Sequence, residues 1–385
     1  MPRRPLRQRL TAVGLGLLVG SIAVEAALRL GDIKPTRHQP PRWSAWDGST
    51  FQRTDMWGEG LIKQASPFAG IEMGQYTPGA RFRVEYDRQH RGHLDQDNGV
   101  EMSINQLGLR GPEVARVKSP GTVRVIGLGD SFTFGVGVKD EHTFLRRIEQ
   151  SLAEHRKIEI LNAGTQGYNT SDELIAFENR WLGLKPDAVL ITFYLNDVYR
   201  DEAEVSFWNN GEGDGIYLRP SGLARHSLLL DWFQYAWRVR DLRQRMITHY
   251  SQPYFTNPNE YFEQSAGSRT AMDWPASRAA LSRLRELADT HRFTIGLAIF
   301  PELMTLDKYP FEAIHAFVAS ACRELDIPVH DLLPDFRGLK DHQLWVHPTD
   351  HHPNPTAHDI AARSLRSFVT EQLLNSKTEQ GEASR

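Results

Sequence analysis

The stretch Val123-Arg-Val-Ile-Gly-Leu-Gly-Asp-Ser-Phe-Thr-Phe-Gly135 decides how the rest of the chain is read. A short apolar run rich in β-branched residues leads into a small-residue turn that presents one hydroxyl, Ser131, with further glycines at 135 and 137. A buried strand that ends at a sheet edge and turns tightly displays such a side chain outward. The free N–H groups of the following helical turn favour negative charge developing beside it. An ordinary strand-to-helix turn capped by Ser131 gives the same triplet, so its meaning rests on the residues at the later strand ends.

After Pro120-Gly121 the chain alternates strands with helices. Apolar runs at 123–128, 158–161, 188–195, 293–300 and 327–333 read as strands. Helical patterns at about 141–155, 171–184, 276–291, 310–325 and 355–374 lie between or after them. Five short buried strands separated by helices call for a parallel sheet covered on both faces. Ligands in such sheets bind outside the carboxyl ends of the strands, and Ser131 stands at the carboxyl end of the first.

Upstream, residues 32–60 are rich in Pro, Arg and Trp without a period and read as an irregular connector. From about 70 to 118 the pattern is β-like, with Arg81–Tyr86, Val100–Ile104 and a turn at Asn105–Pro112; this segment reads as a structural hairpin without a catalytic part. Residues 201–275 interrupt the strand–helix rhythm. Ser227 to about Tyr250 has an amphipathic helical pattern carrying Leu228, Trp232, Tyr235, Trp237 and Leu242, so the insertion is expected to form a cap whose aromatics are either its own core or a substrate groove. The polar tail 375–385 is expected to be disordered.

At the N-terminus Arg3, Arg4, Arg7 and Arg9 precede an apolar stretch, Leu10 to Leu28, in which Glu25 is the only charged residue. Its length is near the ~20 residues a helix needs to cross a bilayer, and the arginines favour keeping that end in the cytoplasm. Glu25 and Arg29 are placed to pair at the outer interface. Residues 1–31 are a membrane anchor, or a signal peptide cut after Val24-Glu25-Ala26. Both place the body outside the cytoplasm, at the periplasmic side of the cell membrane. The net charge of −3 gives no nucleic-acid footprint. The single cysteine, Cys322, excludes an intrachain disulfide and any multi-cysteine metal site.

Three further stretches fall at strand ends on the edge that carries Ser131: Leu161-Asn-Ala-Gly-Thr-Gln-Gly167, Tyr194-Leu-Asn-Asp-Val198 and His347-Pro-Thr-Asp-His-His-Pro-Asn354. Gly167 can offer a backbone N–H and Asn196 a side-chain amide. The last stretch supplies carboxylate and imidazole. A serine hydroxyl becomes nucleophilic when a base takes its proton and a carboxylate fixes the tautomer of that base.

In this order, Gly129–Gly135, Asn162–Gly167, Leu195–Asp197 and Asp350 with His352–Asn354 resemble the blocks of the SGNH/GDSL hydrolase superfamily. The resemblance spans roughly 120–200 and 276–372. It implies a flavodoxin-like three-layer α/β/α fold, residues 121–374 with the insertion, preceded by the β-rich extension within 32–120. It further implies Ser131 as nucleophile, His352 as base and Asp350 as its orienting acid, with the N–H groups of Ser131 and Gly167 and the amide of Asn196 as an oxyanion hole. Two features depart from the usual pattern. The family commonly spaces acid and base as Asp-x-x-His, whereas Asp350 and His352 are two apart, a spacing that resembles the polysaccharide O-acetylation branch; His351 is the alternative base. Tyr194 stands where glycine is frequent. His342, His347, His351, His352 and His358 are a candidate zinc cluster, but the catalytic reading already employs one of them, and neither metal nor cofactor is expected.

The function implied is an extracytoplasmic serine esterase acting on acyl groups, acetyl above all, of an envelope or exported polysaccharide. An O-acyltransferase using the same serine and a non-catalytic glycan-binding or assembly protein are the alternatives.

Overall fold

The computed structural model describes residues 6–35, 41–45, 50–51, 64–65, 72–73, 76–87, 92–198, 220–250, 274–348 and 350–375. The chain divides into two compact units, Met1–Gln39 with Trp208–Tyr250, and Pro40–Phe207 with Ser251–Arg385.

In the larger unit an antiparallel sheet comes first. Strands β1 (Arg42–Ala45), β2 (Thr50–Phe51), β5 (Arg81–Glu85) and β6 (Gly99–Ser103) lie in the order β2-β1-β5-β6, and a separate two-residue pair joins β3 (Gln64–Ala65) to β4 (Glu72–Met73). Within the stretch expected to be irregular, β1 therefore forms a strand, paired from Arg42 opposite Glu85 to Ala45 opposite Phe82. Trp43 explains it: the ring is buried among Phe82, Val84, Val100 and Met102, and strand pairing satisfies the backbone that enters with it.

The parallel sheet comes next, with β7 (Val123–Leu128), β8 (Ile158–Asn162), β9 (Ala188–Phe193), β10 (Thr294–Ile299) and β11 (Val329–Asp331) in the order β8-β7-β9-β10-β11. Every β9 side chain is buried, as a strand covered on both faces requires. Helices α2 (Ser131–Phe134), α3 (Phe144–Ala153), α4 (Thr170–Ala176), α6 (Trp274–His291), α7 (Glu312–Glu324), α8 (Leu333–Phe336) and α9 (Pro355–Phe368) belong to this unit, and α5 (Leu228–Tyr250) to the other. α3 packs on α9, and α4 packs on α6. This is a flavodoxin-like α/β fold, and its strand order reverses between β7 and β9, the point at which such sheets form a crevice.

The β-rich extension is fused to the segment after Ser131. Tyr76, Phe82, Val84, Tyr86 and Met102 share one core with Phe134, Val136, Val138 and Val346. The rings of Phe82 and Phe134 stack with centroids 6.0 Å apart. A further strand pair, β12 (Trp345–His347) with β13 (Asp350–Pro353), leads into α9. The smaller unit contains α1 (Leu6–Leu30), the turn Gly222–Arg225 and α5. The rest of the insertion, 201–219 and 251–273, and residues 376–385 of the tail lie outside the described residues.

Phe82→Ala should remove the ring that joins the extension to the Ser131 loop and cost about 3–5 kcal/mol. Chemical denaturation followed by near-ultraviolet circular dichroism would measure the loss. A cost near zero would mean that the two cores are independent.

Candidate active site

Ser131 opens α2 directly after β7, and the helix is capped by Asp130, whose Oδ1 accepts the N–H of Phe132 at 2.8 Å. The cap is thus the aspartate, and the Ser131 hydroxyl lies 3.4 Å from its other oxygen, Oδ2. Among the described residues the N–H of Ser131 donates to no protein acceptor, and the same holds for Gly167. Gly167 takes φ +77°, a conformation costly for other residues, and a Cβ built on it would meet nothing within 4 Å. Gly164 serves differently: a Cβ there would lie 2.3 Å from the backbone N of Phe134, so only glycine lets this loop rest against the turn of the serine.

Asp350, His351 and His352 lie on β13, where successive side chains alternate in direction. Asp350 and His352 therefore face the same way and His351 the other. His352 Nε2 lies 2.9 Å from Ser131 Oγ, and His352 Nδ1 lies 2.5 Å from Asp350 Oδ1. The backbone N–H of His352 also donates to Asp350 Oδ1, at 3.1 Å. His351 stacks on Trp345 with centroids 4.0 Å apart. Burial lowers its pKa to about 4, so it stays neutral and turned away from the serine. The two-residue spacing that departs from the family's habit is what a strand needs to put acid and base on one face.

The other histidines have their own occupations. His347 Nε2 lies 2.9 Å from the Asp87 carbonyl, and His358 Nδ1 accepts from Phe144 N–H at 3.2 Å. Burial lowers the pKa of His358 to about 3.

One contact was not legible in the sequence. Tyr86, just past β5, donates its hydroxyl to Asp350 Oδ2 at 2.6 Å, so the extension reaches the acid directly. The Tyr86 ring stacks on His347 at 5.2 Å. Burial by itself would raise the Asp350 pKa, but the charge on His352, the hydrogen bond to its ring, the Tyr86 hydroxyl and the His352 amide outweigh it and hold the carboxyl below its ordinary range.

A second acidic group lies around Asp130. Glu173 on α4 and Asp197 after β9 are each 1% exposed and face one another, with Asp130 fully buried nearby. Burial, then repulsion among these carboxylates, raises both Glu173 and Asp197 well above their ordinary values. Both causes disfavour full ionisation of the pair. Asp197 accepts the Tyr194 N–H at 2.6 Å, and its carbonyl accepts Ser277 Oγ–H at 2.6 Å. These bonds fix the turn Leu195–Val198, which carries Asn196. The side chain of Asn196 lies outside the described part of the structure, as does Thr349. Tyr194 stacks on Phe132 with centroids 4.0 Å apart, which gives the residue found in place of glycine a packing role beside the serine.

A serine, an imidazole and a carboxylate in line at the switch point of a flavodoxin-like sheet define a site built for acyl transfer through a serine hydroxyl. The model of the GDSL-like lipase/acylhydrolase family matches residues 128–360, and the chain belongs to that family. It is an SGNH-type serine hydrolase acting on ester bonds. Solved structures similar to it in part include the acetyl xylan esterase AlAXEase, at 15% identity and a TM-score of 0.39 over 64% of this chain and 100% of that one. Another is Axe2, an acetylxylan esterase from Geobacillus stearothermophilus, at 15% identity and a TM-score of 0.40 over 65% of this chain and 96% of that one. TesA matches at 13% identity and a TM-score of 0.40 over 65% and 99%. Comparison with curated proteins finds no match.

Two measurements probe the carboxylates. Tyr86→Phe removes a hydrogen bond to a charged group and should cost about 1.5–3 kcal/mol of stability at neutral pH. Because the Asp350 pKa is depressed in the folded state, that contribution is present above the unfolded value, 3.8, and disappears as pH falls below it. Equal destabilisation at acid and neutral pH would contradict this. For Glu173 and Asp197 the sign reverses: the folded chain keeps a proton that the unfolded chain releases above a pH of about 4.5, so stability declines as pH rises. Glu173→Gln should therefore lose less stability than the wild type between mildly acid and mildly alkaline pH. Parallel pH–stability curves from urea titration would sink the assignment.

Proposed function

We propose that this protein is a membrane-tethered, extracytoplasmic serine esterase that removes acyl groups, acetyl above all, from an envelope or exported polysaccharide. The observation that carries the catalytic part is the contact of His352 with Ser131 on one side and Asp350 on the other. His352 Nε2 takes the hydroxyl proton as Ser131 Oγ attacks the ester carbonyl, and Asp350 holds Nδ1–H and stabilises the imidazolium. The tetrahedral oxyanion is received by the N–H groups of Ser131 and Gly167 and by the amide of Asn196. Collapse expels the sugar hydroxyl, which takes its proton from His352 and leaves an acyl-enzyme on Ser131. Water, activated by the same imidazole, then releases the carboxylic acid and restores the serine.

The preference for carbohydrate acyl groups rests on the Asp350–His352 spacing, which resembles the polysaccharide O-acetylation branch. Membrane attachment rests on α1, where Leu10–Leu30 is long and apolar enough to cross a bilayer and none of it is buried in the protein. The four arginines before it keep the N-terminus in the cytoplasm and the hydrolase body outside.

Purified wild-type protein should be labelled at Ser131 by a fluorophosphonate and release acetate from acetylated oligosaccharides. Ser131→Ala should abolish labelling and lower kcat by at least about 10⁴-fold while leaving the circular dichroism spectrum unchanged. Turnover persisting in Ser131→Ala would end the catalytic assignment. Transfer of acetyl to an added oligosaccharide in excess of free acetate would make the protein a transferase.

A further inference from the structure

We propose that the first turns of α5 lie on the bilayer surface, with the face formed by Leu230, Phe233 and Trp237 set among the lipid headgroups. The inference rests on the reading of α1 as a membrane span and adds a second, peripheral contact to it.

Glu25 is the lone charge in an otherwise apolar stretch. Its carboxylate accepts the N–H groups of Leu228 at 3.1 Å and Leu229 at 2.9 Å and the Ser227 hydroxyl at 2.9 Å. It is thus the cap of α5, satisfying donors that the first turn of any helix leaves open. Arg29 completes the joint, donating to Glu25 Oε1 and to the His226 carbonyl, each at 2.7 Å. The indole N–H of Trp232 donates to the Ile33 carbonyl at 3.3 Å. Glu25 precedes the end of α1 by five residues, about 8 Å of helix. If α1 spans the membrane, α5 begins at the depth where hydrocarbon gives way to headgroups.

The exposure pattern of α5 fits that depth. Asp231 is buried, and Leu228, Trp232 and Tyr235 are half-buried within the unit that α5 forms with α1. Leu230, Phe233 and Trp237, spaced three and four apart and so on one face, are 43%, 67% and 63% exposed. The insertion's aromatics thus divide between the two faces, and those on the outer face are neither core nor the charged surface that water favours. The charge of α5 is also one-sided in sign. Arg238, Arg240, Arg243 and Arg245 stand against Asp231 and Asp241, and Asp231 is buried. An apolar stripe with an aromatic pair and a surplus of arginine is the composition of a helix that rests on anionic lipid. The occupant of this face is accordingly the bilayer that α1 crosses.

The full chain in a Cys322→Ala background, reconstituted in vesicles of zwitterionic and anionic phospholipid, supplies the test. Spin labels at Phe233→Cys and Trp237→Cys are compared with one in the span, Leu17→Cys, and one on the exposed β6 residue, Glu101→Cys, by collision with oxygen and with a water-soluble nickel chelate. Fluorophosphonate labelling of Ser131 confirms that each variant is folded. The labels at 233 and 237 should collide with nickel at least about threefold less than the label at 101 while remaining open to oxygen. Nickel access equal to that at 101, with the label at 17 in lipid, overturns the surface contact and leaves the span intact. Nickel access at 17 overturns the span and the contact together. Shielding of 233 and 237 from both reagents means that protein covers this face, which also overturns the proposal.

Discussion

The two-residue period of a β-strand is the constraint on which the site depends. On β13 it turns Asp350 and His352 to one side and sends His351 to the other, against Trp345. The remaining structure delivers a hydroxyl to the free nitrogen of that imidazole. β7, nearly wholly buried, ends at the switch point of the sheet and presents Ser131 there, while Asn354 holds the entry to α9 by donating its amide to the carbonyl of Gln343 at 2.7 Å and to that of Trp345 at 3.2 Å. The hairpin is fixed from the other side by Val346, which lies in the core shared with the β-rich extension. The extension is therefore a wall of the site as well as a connection to the N-terminus.

Electrostatics divide the buried carboxyls into two kinds. Asp350 gathers an imidazole, an amide and a phenol around it, and these hold its carboxyl below the ordinary range despite burial. Asp130, next to Ser131 in the chain, lies near Glu173 and Asp197, and three full negative charges buried together would repel one another. Burial and mutual repulsion raise Glu173 and Asp197 and so disfavour the full charge of the group. Asp130 directs its charge to the Phe132 N–H, whereas Asp197 spends its acceptor on Tyr194 N–H and so shapes the turn that carries Asn196. Acidity that looks unfavourable in a buried place is here used for positioning.

The parallel sheet was readable because each of its strands is a short apolar run, and the observed strands β7 to β11 fall within a few residues of those runs. The meeting of Ser131, Asp350 and His352 was readable because their blocks close strand ends on one edge. The helical pattern at 171–184 was less faithful: α4 stops at Ala176, and the chain continues as a wider turn over Phe177–Trp181 and a tighter one over Leu182–Leu184. Periodicity registers the apolar positions and is blind to such changes of pitch. Tyr86 left no local signal at all, since its partner is 264 residues away and a tyrosine ending a strand is ordinary. Nothing local marks Glu173 as buried; the carboxyl it faces, Asp197, belongs to a different strand end. The pairing of Glu25 with Arg29 is legible from their spacing, but the capping of α5 by the same carboxylate joins residues about two hundred positions apart.

The short Asp-x-His spacing and the fused extension are connected by hydrogen-bond accounting. On a strand, both the ring Nδ1 and the backbone N–H of His352 converge on one oxygen of Asp350, Oδ1. The other oxygen belongs to a side chain only 8% exposed, and a buried carboxylate oxygen left without a donor would weaken the ionised state that the imidazole needs. That donor has to come from outside the hairpin. Tyr86 supplies it from the end of β5, where the stacking of its ring on His347 and the burial of its neighbours Phe82 and Val84 fix its direction. An acid and base set two apart on a strand thus call for a third element behind the acid, and in this chain the β-rich extension fills that place.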